Sequence, residues 1–171
     1  GLAFDCHAAT SFEQIAELAV PEANQGVGVD DRYFYAVDNQ TIAKYDKATG
    51  KVVKKWQGPS DGSIVHLDGA MLMNGKLYAA HSNYPGWPMT SSVEIFDADS
   101  LEHVGTHSFG VRWGSLTWID WHDGQWWMTF ANYDQRIGPG GRPYGGKANT
   151  VVVEMTEDFE PVQSWTLPKE V

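Results

Sequence analysis

Positive charge is scarce in this chain. Only 12 Lys and Arg stand against 22 Asp and Glu in 171 residues, a formal net charge of -10. The densest basic group is Lys51, Lys54 and Lys55. Nucleic acid is held by clustered cations, so it is excluded as an expected partner, and the same charge disfavours an anionic membrane surface. Cysteine is nearly absent. Cys6 stands alone, which excludes an intrachain disulfide and a cysteine-rich metal site. No apolar run approaches the roughly 20 residues that span a membrane as a helix. "GLAFDCHAAT" has neither the basic start nor the apolar core of a signal peptide, and the compartment stays unassigned. Helical spacing is almost missing. G-x-S-x-G does not occur, and "GPGG" lacks the Lys-Ser/Thr ending of a phosphate loop.

What is abundant is aromatic and β-branched sequence in short runs. Hydrophobic residues make up 42% and charged residues 20%, which suits one packed domain. Three segments align with one another: 26–57, 63–109 and 115–167. Each reads as four short strands. The first strand ends in a turn pair, Asp30-Asp31, Asn74-Gly75 or Asp123-Gly124, of which the last two favour tight hairpins with positive φ. The second strand is rich in aromatic and small apolar residues and leads to Asn39, Asn83 or Asn132. A loop of variable length and a β-branched third strand follow. A turn, "DKATG", "DADSL" or "TEDFE", introduces the fourth.

Four antiparallel strands repeated every ~40–50 residues describe a β-propeller blade. A β-sandwich shares the short strands but gives no reason for repetition in register. The expected fold is therefore all-β, with about three four-stranded blades forming a partial propeller. Residues 13–20 read as one more strand, the outer strand of a closing blade, with a capped helix as the rival reading. Closed propellers have about 4–8 blades. A second chain or a second copy completing the ring is accordingly the expected partner. "GVGVDDRYFYAVDN", "IAKYDKATGKVV" and "VEIFDADSLEHVG" resemble the broad group of YVTN-type, NHL-type and gluconolactonase-like propellers, with some likeness to glutamine cyclotransferase-type propellers. That resemblance implies blade geometry and carries over no catalytic residue.

In such a blade, the loop between second and third strands emerges on the rim. "HSNYPGWP", the short "DNQ" and the long 132–149 segment occupy that place. The glycine-rich long segment reads equally as a lid and as an unstructured excursion. His81, Arg112, Asp134 and Arg136 are the candidate catalytic groups, because a rim mixing His, Arg and Asp suits proton transfer and anion binding. Asn39, Asn83, Tyr84, Trp87, Trp113, Asn132 and Tyr133 are candidate ligand contacts. Asp38 with Asn39, Asn83 and Asn132 forms a candidate oxygen-ligand set for Ca²⁺ or another divalent cation, and gluconolactonase-like propellers place such an ion on their axis. Against this, Asn at a strand end also caps the loop backbone. His66, His103, His107 and His122 show no metal-ligand spacing and are set aside. The expected ligand is a small polar or sugar-like molecule. A lyase, lactonase-like hydrolase or cyclase is one reading of the function; a non-catalytic glycan- or protein-binding propeller or an assembly component is the other.

Overall fold

The computed structural model describes residues 11–137 and 140–168. Three four-stranded antiparallel sheets carry the fold. The first contains β1 (Gly26–Val29), β2 (Tyr33–Asp38), β3 (Thr41–Asp46) and β4 (Val52–Gln57). The second contains β5 (His66–Met73), β6 (Lys76–Ser82), β7 (Ser91–Asp97) and β8 (His103–Gly110). In the third, β9 (Ser115–His122) and β10 (Gln125–Ala131) are separated in sequence from β13 (Val151–Met155) and β14 (Pro161–Thr166). The intervening segment holds a small hairpin, β11 (Arg136–Ile137) with β12 (Arg142–Pro143), and a 3-10 turn at Lys147–Asn149. Each sheet is a meander in sequence order, and the first strand of the second blade, β5, packs between β1 and β9. This is the arrangement of propeller blades around an axis, here left unclosed.

Turn chemistry sets the registers. Asn74-Gly75 and Asp123-Gly124 have φ values of 51°, 72°, 52° and 81°, the left-handed pair that a two-residue hairpin requires. The third-to-fourth strand turns are held by side chains. Asp46 Oδ1 accepts the Thr49 N–H at 2.9 Å, and Asp97 Oδ1 accepts the Ser100 N–H at 2.7 Å. Those bonds lower both carboxyls, the Thr49 hydroxyl acting first on Asp46 and the Ser100 amide first on Asp97.

Alternation along the strands supplies the glue between blades. Tyr35, Val37 and Ile42 of the first blade meet Leu67, Leu77, Ala79 and Phe96 of the second. Trp56 joins that core edge-on to Phe96, with ring centres 4.9 Å apart. Buried Lys44 crosses the same seam, donating to the Ala98 carbonyl at 2.8 Å beneath the Tyr33 ring. Ala80 and Val93 of the second blade meet Leu116, Trp126, Met128, Phe130 and Val153 of the third.

Residues 11–20 depart from the expected strand at 13–20. They form neither strand nor helix, and Phe12 and Ile15 are each 94% exposed. A strand exists through its ladder, and no described strand lies beside this segment to pair with it. Its end still docks: Val20 packs on Ala36, Ala43 and Tyr45, and Glu22 accepts the Tyr45 hydroxyl at 2.6 Å. Trp165 lies on the outward face of the third blade, stacked on Trp127. That face is bare because no described element covers it.

Candidate functional site

The innermost strand of the second blade opens with His66-Leu67-Asp68. Residues two apart on a strand share a face, so His66 and Asp68 point together while Leu67 enters the core. The pairing with β6 then shifts, Leu67 standing opposite His81 and Ala70 opposite Ala79. Asp68 and Gly69 share the place across from Ala80, a bulge that re-aims the aspartate. Gly26 makes the bulge possible. A Cβ there would lie 2.7 Å from the Asp68 carbonyl oxygen and 2.8 Å from the Gly69 Cα.

Asn39, just past β2, fixes the histidine. Its Oδ1 accepts from Gln25 Nε2 at 3.2 Å, and its Nδ2 donates to Asp38 Oδ1 at 3.0 Å. With the carboxamide turned that way, the 2.5 Å contact from His66 Nδ1 to Asn39 Oδ1 is an N–H donated by the imidazole. Neutral His66 therefore aims a lone pair on Nε2 at Asp68 Oδ2, 3.4 Å away. Two acceptors face each other, and one proton between them resolves the conflict. Asp68 Oδ2 is buried and has no hydrogen-bond partner among the described residues. Burial pushes the Asp68 carboxyl up to about 7. Burial also lowers His66, opposed by the charge of Asp38. Both shifts favour the neutral pair, with the proton on Asp68.

Three tyrosines wall this pair. The Tyr84 ring lies 5.1 Å from that of His66, and the Tyr133 and Tyr144 rings lie 5.5 and 5.7 Å from Tyr84. Tyr84 Oη accepts from Gln135 at 2.8 Å. The Tyr144 hydroxyl is buried without a partner, and burial raises it to about 12. Burial raises Tyr133 as well, the Ser115 hydroxyl opposes this, and nearby Asp68 adds to the rise. Tyr84 comes from the second blade's rim loop, Tyr133 and Tyr144 from the long loop of the third. Below the cluster, a cleft of about 340 Å³ runs along the inner strands past Gln25, Gly26, Gly69 and Thr117.

The candidate catalytic residues occupy separate local settings. His81 is buried. Its Nε2 accepts the Val65 N–H at 3.1 Å, so Nδ1 carries the proton and donates to Ser92 Oγ at 2.8 Å. Ser92 donates onward to Glu94 at 2.6 Å, which also takes the Thr106 hydroxyl and meets His103. Burial lowers His81, against the pull of Glu94, in keeping with a neutral ring. Asp134 accepts the Lys147 N–H at 2.9 Å, and Arg136 bonds the Gly141 carbonyl, so both shape the long loop. Arg112 stacks on Trp113 with its guanidinium 4.6 Å from the ring centre.

The three asparagines also divide. Asn83 donates to the Pro88 carbonyl and accepts the Thr90 N–H, both at 2.8 Å, closing a loop whose Tyr84-Pro85 and Trp87-Pro88 bonds are cis. Asn132 donates to the Trp113 and Asn149 carbonyls at 3.1 and 3.0 Å. Only Asn39 reaches the His66 cluster. Asp38 spends Oδ1 on the Asn39 amides and Oδ2 on Asn24. Among the described residues no group of three or more His, Cys, Asp or Glu is placed to hold a metal ion. Trp87, Arg112, Trp113 and Asn132 do come together, lining a rim cleft of about 470 Å³ between the second and third blades. Asp68 was missed in the sequence and His66 set aside. The legible signal was their spacing, H-x-D on a strand that begins at the rim.

No protein-family profile matches the chain, and no characterised protein matches it in sequence. Solved structures match its shape. The U3-55K structure superposes with a TM-score of 0.54 at 12% identity, covering 88% of this chain and 41% of that one. A europium-containing methanol dehydrogenase gives 0.45 at 10% identity, covering 82% and 31%. The PQQ-bound aldose sugar dehydrogenase from Streptomyces coelicolor gives 0.39 at 14%, covering 76% and 42%. The chain thus spans less than half the length of each of these proteins, and its likeness to U3-55K extends to the fold alone.

Proposed function

We propose that this chain contributes the central rim site of a propeller that binds a small polar or sugar-like ligand, and that His66 and Asp68 exchange a proton with it. The observation that carries this reading is the buried Asp68 Oδ2, without a hydrogen-bond partner among the described residues, standing 3.4 Å from His66 Nε2. A pair poised near neutral pH can both give and take a proton. Lyase, lactonase-like hydrolase and cyclase chemistry each need that exchange. The tyrosine wall would exclude water and pack the ligand, while Asn39 holds His66 in one tautomer. No divalent cation is required by this chemistry, and a Ca²⁺ role for Asp38 with the three asparagines is not part of the proposal.

A non-catalytic, glycan-binding reading rests on a different observation, the exposed indole of Trp87 beside Arg112 and Trp113. Either reading gains from further blades supplied by a second chain or copy, which would close the rim around the axis.

The test is a screen of small lactones and hydroxy acids for turnover by the full chain, its His66→Asn variant and its Asp68→Asn variant. Losing a positioned acid–base group lowers turnover by about 10²–10⁴-fold, and both variants are expected to fall in that range. Turnover that survives both changes would remove the pair from the mechanism. Binding without turnover in the parent would favour the glycan-binding reading.

A further inference from the structure

The rim cleft between the second and third blades has no part in the proton exchange described above. It encloses about 470 Å³, and its walls include Trp87, Met89, Arg112, Trp113, Asn149 and Thr166. Among the described residues Arg112 is the one charged side chain lining it, in a chain whose net charge is -10. The guanidinium is stacked on Trp113 at 4.6 Å and, among the described residues, has no carboxylate within ion-pair distance. Trp87 presents a second indole, 41% exposed. The walls are tied together at Asn132, whose carboxamide bonds the Trp113 carbonyl on one side and the Asn149 carbonyl on the other. Two glycines clamp it. A Cβ on Gly114 would lie 2.8 Å from Asn132 Nδ2, and one on Gly145 would lie 2.0 Å from its Oδ1. The cleft is therefore built before any ligand arrives.

We infer that this cleft binds a small carboxylate carried on a six-membered ring, of the hexuronic acid class. A guanidinium matches a carboxylate through two parallel hydrogen bonds, and one already held by stacking loses less freedom on binding. An indole offers a flat apolar surface to the C–H face of a pyranose. Among the described residues no acidic side chain lines the cleft to repel the anion, and its volume falls in the range of small-molecule sites.

Calorimetric titration of the full chain at low ionic strength with D-glucuronate, D-glucose and L-lactate tests the assignment. Glucose keeps the ring without the charge, and lactate keeps the charge without the ring. Glucuronate is expected to bind at least about tenfold more tightly than either. Arg112→Gln should lower glucuronate affinity by about tenfold or more, and Arg112→Lys, which keeps the charge and loses the fork, by less. Trp87→Ala should weaken glucuronate and glucose alike. Arg112 is exposed and outside both interblade cores, so its variants should keep the parent's near-ultraviolet circular dichroism. Absent glucuronate binding, equal binding of glucuronate with glucose or lactate, or full binding by Arg112→Gln would each overturn the inference. The His66→Asn variant is expected to bind glucuronate as the parent does; loss there would show that the anion sits elsewhere. Proton exchange at His66 and anion binding at Arg112 can therefore fail separately.

Discussion

Two titrating residues 3.4 Å apart should leave opposite marks on stability. Asp68 is raised from 3.8 to about 7 in the folded chain. Over that window the folded state holds a proton that the unfolded state releases, so its contribution to stability falls as pH rises from about 4 to 7. His66 is lowered from 6.5. Between its folded value and 6.5 the unfolded state binds the extra proton, so its contribution rises with pH. In the parent the two slopes oppose each other. His66→Asn is expected to expose the Asp68 slope, with stability falling from pH 4 to 7 relative to the parent; Asp68→Asn is expected to do the reverse. Urea midpoints taken across that range check both signs, and parallel profiles for all three proteins would show that neither group is shifted by its burial. This pair was hidden in the sequence for a physical reason. "VHLDG" displays the alternation that aims both groups one way, but the proton conflict arises only because Asn39, from another blade, fixes the imidazole tautomer. Asn83 and Asn132 show the converse. Their positions at strand ends were legible, while their bonding to Pro88, Thr90, Trp113 and Asn149 depends on how two long loops fold back.

At the level of strands, the repeat was legible because each local signal agrees with the others. Asn74-Gly75 and Asp123-Gly124 turn the chain where alternation says a strand ends, and Asp46 and Asp97 repeat the same side-chain bond in successive blades. The departures come where strand pattern lacks a partner or gains an extra residue. Leu18-Ala19-Val20 before Pro21 reads as the end of a strand, yet a strand alone has no ladder. The β5 bulge is the other case, since nothing in "HLDGAM" reveals that two residues will face one across β6. Gly26 is the external support for that bulge. Its substitution by Ala drives a Cβ within 2.7 Å of backbone, where no flexible side chain can yield. Overpacking of this kind costs about 1–3 kcal/mol, and Gly26→Ala should lower unfolding stability in that range. It should also displace Asp68, so the pH slope assigned to that residue is expected to shrink in the same variant. A full loss of stability with the Asp68 slope unchanged would mean that β1 does not brace the bulge.

Across the whole molecule, the three sheets leave two unequal ends. The outer face of the first blade is partly covered, because Val20 packs on Ala36 and Ala43 and Glu22 reaches both Tyr45 and Lys55. The outer face of the third blade has no such cover among the described residues. Trp118 and Trp165 are 43% and 40% exposed, and Trp165 is stacked on Trp127 with an interplanar angle of 11°. A blade face is a core half, and the same alternation that builds the buried seams puts indoles on this one. Exposed indoles on an uncovered sheet face suit contact with a partner, and a further blade from a second chain or copy is the partner proposed above. Replacing Trp118 and Trp165 by Glu touches neither interblade core. Loss of the Trp165–Trp127 stacking and of the half-buried indole area should cost about 1–3 kcal/mol of unfolding stability, which leaves the chain folded. The double variant should nonetheless abolish any higher-mass species that native mass spectrometry detects for the parent. Assemblies that persist in the double variant would place ring completion on another surface, and a parent that remains a 19.0 kDa monomer would show that a copy of this chain does not supply the missing blades.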